Sequence, residues 1–187
     1  MWRGAALLGS TGALGALAPP ATAAGIPDAD LAYVRLLIGV ELLELDFDER
    51  ALATKRLRGT APALFRRMRR DNEAHVIGLS ALVHGAGETA ATPGDIDFSY
   101  PRGSFGSQNS ILRLGRRLTS LALGAYLGAV QNVQTPELRL PLGQIAANEA
   151  QQVGAYAQLL GAPVVGSAFA ASMQIDAVSS ALDEYES

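Results

Sequence analysis

The sequence predicts an all-α fold: a bundle of four long helices with one long crossover between the second and third, followed by a short C-terminal helix. Three observations carry this. Apolar residues recur at spacings of three and four over four long segments, which marks one inward face on each helix. Two of the connections are short and one is long. No cysteine is present among the 187 residues, so the fold owes nothing to disulfides, thiolates or Cys-rich metal sites. Hydrophobic residues make up 49% and charged residues 18%, a mix that can bury a core.

The helices follow from local signals. Asp28 or Asp30 is expected to cap the first, which runs to about residue 54 with Val34, Ile38, Leu42 and Leu45 turned inward. Thr60, with Pro62 just inside, starts the second, which Gly85 and Gly87 stop. Ser107 or Asn109 caps the third, to about Val130. Pro136 opens the fourth, and Gly161 with Pro163 ends it; Pro141 is expected to bend its first turns. A fifth helix, over about 176–184, reads as peripheral. Short loops make helices one and two, and three and four, antiparallel neighbours. The connection over 86–106 holds about twenty residues and, extended, reaches about 60–70 Å. A 25-residue helix is about 38 Å long. The chain can therefore return along the whole bundle, leaving helix three parallel to helix two.

Residues 1–24 read as an export signal: Trp2 and Arg3, a weakly apolar Ala/Leu/Gly stretch, then the small-x-small site Ala21, Thr22, Ala23. The wording is that of a twin-arginine signal without its twin arginine, and the expected location is periplasmic or extracellular. A net charge of −3 gives no reason to expect nucleic acid or, once the signal is removed, a membrane surface. The arginines at 66, 67, 69 and 70 read as the solvated face of the second helix.

Two apolar stripes are interrupted by polar residues. On the second helix Leu64, Met68, Asn72, His75, Leu79 and Leu82 share a face; on the fourth, Leu142, Ile145, Glu149, Gln152, Tyr156 and Leu159 do. A carboxylate turned inward needs a cation, a proton or a donor. Glu41, on the first-helix stripe, joins them. Carboxylate-bridged dimetal bundles take a Glu from each of two helices and a Glu-x-x-His from each of the other two. Four carboxylates then neutralise two divalent ions and each imidazole completes one coordination sphere.

The runs ELLELDFD at 41–48, RDNEAHV at 70–76, Asp97 with Phe98, AYLGA at 125–129 and NEAQQ at 148–152, followed by LLG at 159–161, together resemble the ferritin-like domain family of bacterial exported proteins, including those described as desiccation-related. The resemblance covers about 28–162, leaving 163–187 as a C-terminal extension. It implies a ferritin-like bundle and a site that is incomplete here. Glu41 holds the first-helix carboxylate position and His75 the second-helix imidazole, with Asn72 where its partner Glu belongs. Glu73 lies about 200° around the helix from His75 and cannot substitute; Asp71, four residues away, can. Thr119 falls at the third-helix carboxylate position, Glu149 keeps its place on the fourth, and Gln152 replaces the second imidazole.

The metal ligands expected are therefore Glu41, His75 and Glu149, with Asp71, Asn72 and Gln152 as weaker candidates. They would hold one divalent ion (iron, manganese or zinc) or none. Asn72 or Gln152 could instead satisfy His75 as a core residue, and Tyr126, Tyr156, Arg113 or a shared proton could satisfy the carboxylates. Glu44 and Asp48 fall at the edge of the face and are expected at the surface. Three functional readings remain: a structural or stress-associated bundle with a degenerate site and no redox activity; a metal oxidoreductase acting on ferrous iron or peroxide through Glu41, His75 and Glu149; and a bundle whose third helix, small at Gly115, Gly124 and Gly128, packs against a partner or a second copy.

Overall fold

The computed structural model describes residues 25–186. The signal-like segment 1–24 lies outside them. Five helices are present among the described residues: α1 (Asp28–Ala53), α2 (Ala61–Gly85), α3 (Gln108–Asn132), α4 (Pro136–Leu159) and α5 (Ile175–Asp183). The expected fold class is found. None of these helices is long and apolar enough to cross a membrane.

Side-chain pairings fix the directions. Glu41 meets His75 while Glu49 meets Arg69, so α1 and α2 run antiparallel. Glu41 meets Tyr126 while Glu44 meets Thr119, which makes α1 and α3 antiparallel as well. It follows that α2 and α3 are parallel, and the segment between them, residues 86–107, is the crossover. α1 packs on α2 and α3, and α4 packs on α3 and α2. The pairs α1/α4 and α2/α3 therefore sit on the two diagonals.

The crossover is pinned rather than loose. Phe98 forms an antiparallel bridge with Glu186, and Ser99 donates its amide to the Tyr185 carbonyl at 2.6 Å. Tyr100 donates its hydroxyl to Asp46 at 2.8 Å, and its ring packs on Phe47, Phe105 and Tyr185. α5 is more than peripheral. It buries Val178 and Leu182 and packs on α1 and α3. The segment leading to it lies along α3. There Met173 donates its amide to the Gly124 carbonyl at 2.9 Å, and a Cβ on Gly128 would fall 1.8 Å from the Met173 carbonyl oxygen. The glycines at 124 and 128 thus admit the chain's own C-terminal segment. Gly115 admits the Tyr156 ring of α4, since a Cβ there would meet that ring at 2.6 Å. Close approach within the molecule accounts for all three.

Two expected caps are corrected. Thr60 makes no side-chain bond at the start of α2, where Pro62 alone presets the first turn. Neither Asp28 nor Asp30 caps α1; its N-cap is Pro27. Asp30 instead accepts the amides of Gln134 and Thr135 at 2.9 and 2.8 Å, satisfying donors at the start of α4. The Ser107 cap is found, as a reciprocal box with Ser110.

Burial pushes the Asp30 carboxyl up, but the Gln134 and Thr135 donors and the Arg139 charge outweigh it and hold the group below its ordinary 3.8. A depressed carboxyl stabilises the fold above its unfolded value, and that contribution is lost as pH falls through the folded value. Asp30→Ala should therefore cost about 1–3 kcal/mol at neutral pH, and the deficit relative to wild type should shrink below pH 4. Exposed Asp28→Ala should stay within about 0.5 kcal/mol. Thermal melts of the two variants at pH 7 and 3.5 check this.

Candidate metal centre

The polar residues of the core stack in successive layers along the bundle. The first layer takes one residue from each long helix: Glu41 from α1, His75 from α2, Tyr126 from α3 and Glu149 from α4. His75 Nδ1 lies 3.3 Å from the Glu41 carboxylate and 3.4 Å from Glu149 Oε1. Tyr126 donates its hydroxyl to Glu41 Oε1 at 2.5 Å. Glu41 and Glu149 are wholly buried, and His75 keeps 9% of its surface.

The second layer holds Glu44, Asn72, Thr119 and Gln152. Thr119 donates to Glu44 Oε1 at 2.5 Å. Gln152 donates to Asn72 at 3.0 Å and to Asn148 at 2.9 Å, and lies 3.4 Å from Glu149 Oε1. Beyond this layer lie Asp48 and Tyr156, the latter edge-on to Phe65.

The three residues singled out as principal candidates lie together in the structure. One atom from each of Glu41, His75 and Glu149 falls within a common 4.8 Å. Asp71, one of the weaker candidates, pairs with Arg67 at 2.8 Å along α2 and lies outside the group formed by Glu41, His75 and Glu149. Asn72 and Gln152 reach the centre, where Gln152 donates to Asn72 while its own Oε1 is left without a donor. Arg113 is exposed, and Tyr126 is the donor that Glu41 uses. Glu44 and Asp48 are the clearest corrections. Both were expected at the surface, and they are 3% and 1% exposed.

The charge balance is lopsided. Glu41, Glu44, Asp48 and Glu149 are four buried carboxyls, and among the described residues none forms an ion pair with Lys or Arg; Arg69, nearest in effect, is paired to Glu49. Buried oxygens are left without a partner: Glu44 Oε2, both of Asp48, and Glu149 Oε2. Burial first, and the charge of Glu41 second, push the Glu44 carboxyl up to about 8. Burial, then Glu44 and Glu41, raise Glu149 well above the usual carboxylate range. Asp48 is raised by burial and by Glu44, with Arg69 offsetting part of it. Tyr126 is held firmly protonated, by burial and then by Glu41.

These residues fit one cation. Two ligand atoms on a tetrahedral ion at about 2.1 Å are separated by about 3.4 Å, and the His75 contacts to both carboxylates match that edge. A free oxygen on Glu149 supplies further capacity. They do not fit the symmetric two-ion arrangement, because neutral Asn72, Thr119 and Gln152 fill its other positions and two of them are already bonded together.

A four-helix bundle with an imidazole and carboxylates converging at its centre has the architecture on which helical bundles build metal sites. The ferritin-like domain family matches residues 29–162, and the chain belongs to that family. No curated protein matches the chain at a significant level.

Asp48 tests the electrostatic reading. Replacing a buried, partnerless charge with a neutral residue of similar shape relieves desolvation. Asp48→Asn should raise the Tm of chelator-treated protein by several degrees near pH 7.5; a lower Tm would reveal a stabilising partner of the carboxylate.

Proposed function

We propose that this protein is an exported ferritin-like bundle that holds one divalent cation, iron, manganese or zinc, at Glu41, His75 and Glu149. Its role is structural or stress-associated, of the kind its resemblance to desiccation-related proteins suggests, and it is not redox-active. The observation that carries the cation is the approach of two buried carboxylates to one imidazole nitrogen at 3.3 and 3.4 Å. The replacements at Asn72, Thr119 and Gln152 support the degenerate reading, since they remove the charge and the imidazole that a second ion requires. Residues 1–24 support export, with the twin arginine missing from an otherwise similar signal. The net charge of −3 supports neither nucleic acid nor an anionic membrane as a partner. Internal use of Gly115, Gly124 and Gly128 favours packing within the chain over a homo-oligomer built on that face.

A second reading, oxidation of ferrous iron or consumption of peroxide at the same three residues, draws on the solvent edge of His75 and on Tyr126, a phenol bonded directly to a ligand. Elemental analysis after expression with iron, manganese and zinc supplied should find about one divalent ion per chain and almost none in Glu149→Ala. Two ions per chain would remove the degenerate reading, and equally low metal in both proteins would remove the cation. Ferrous oxidation no faster than buffer in metal-loaded wild type is expected; a rate abolished by Glu149→Ala would establish the second reading.

A further inference from the structure

The second-layer carboxyl of Glu44 is left idle by the three-residue site. It lies on α1 one turn from Glu41, so both side chains leave the same face of the helix. One oxygen is tethered by Thr119 at 2.5 Å, and the other is buried with no donor. Glu44 lies outside the 4.8 Å set formed by Glu41, His75 and Glu149. Its carboxyl and that of Glu149 nonetheless act on one another inside the core. Two carboxylates face each other there as two acceptors, and only a proton or a cation between them makes the contact favourable. Glu149 is thereby placed between two poles: Oε1 turns toward His75, and a free Oε2 remains.

Thr119 explains the tether. A bundle of this kind takes one carboxylate from each helix, and α3 presents a hydroxyl instead. That hydroxyl cannot neutralise a cation, but it can donate, and the acceptor it holds is a carboxyl from the neighbouring helix. We propose that Glu44 is a fourth ligand of the cation, supplied by α1 in place of the carboxylate that α3 lacks at Thr119, with Thr119 as the residue that positions it. The inference rests on the cation reading above. It assigns the site three carboxylates and one imidazole, three of the four side chains coming from the α1/α4 diagonal. Asp48 is not part of it, since that carboxyl lies a further turn along α1, beside Tyr156 and under the influence of Arg69.

Zinc titration by calorimetry at pH 7.5 tests this, with full-length wild type and Glu44→Gln, and with helicity and Tm of the metal-free proteins measured alongside. Glu44→Gln should keep wild-type helicity and weaken zinc affinity at least tenfold, the lower end of the range that loss of supporting groups at metal sites produces, about 10–100-fold. A smaller change overturns the inference and leaves the three-residue site standing. No zinc binding by wild type overturns both. Crystals of zinc-loaded wild type supply the test that needs no variant. A Glu44 oxygen about 2.0–2.2 Å from the ion is expected; Glu44 still on Thr119, beyond ligating distance, overturns ligation even if affinity had fallen.

Discussion

Four carboxyl groups gather at the centre of this bundle, and among the described residues the only basic group in contact with any of them is one imidazole, beside Glu41 and Glu149. Removing charge from water is expensive, and a pair recovers that cost only with good geometry and full hydrogen bonding. Here Glu41 has Tyr126 and one oxygen of Glu44 has Thr119, while Glu44, Glu149 and Asp48 each retain an oxygen with no donor. The fold tolerates this because the surrounding apolar core is extensive, with Phe47, Phe65, Tyr126 and Tyr156 all buried. A cation at the centre would convert the least favourable feature of the core into a cross-link between α1, α2 and α4. Binding to the folded state alone stabilises it by about 2.7 kcal/mol at a hundredfold excess over Kd.

Topology was readable because it depends on coarse quantities. Loop length decided which helices are antiparallel neighbours, and the long crossover made α2 and α3 parallel. The doubled polar interruption of two stripes placed His75 and Glu149 inward, and the first-helix stripe did the same for Glu41. Helix ends were also close, since Pro136, Gly85 and Ser107 act locally.

Glu44 and Asp48 were not readable, and the reason lies in α1. That helix packs on α2, α3 and α5 at once, and residues from Leu37 to Glu44 are continuously buried. A stripe argument assumes one inward face; a helix covered on three sides has none to spare for solvent. The cover comes partly from α5, whose Leu182 sits 3.5 Å from where a Cβ on Gly39 would lie. Its distance along the chain hid that contact. Asp30 was misread for a related reason. The local pattern marked an N-cap, whereas its partners, Gln134 and Thr135, lie about a hundred residues away. Asp71 illustrates the opposite case, a half-buried residue whose partner, Arg67, lies only one turn earlier.

The most direct test is a pair of melting curves for wild type and Glu149→Gln, each in chelator and in saturating zinc. If the buried carboxyl is a burden without a cation and an anchor with one, the substitution raises Tm in chelator and abolishes the zinc-induced rise seen in wild type. A Tm that falls in chelator, or a wild-type protein indifferent to zinc, would contradict a core organised around a metal ion.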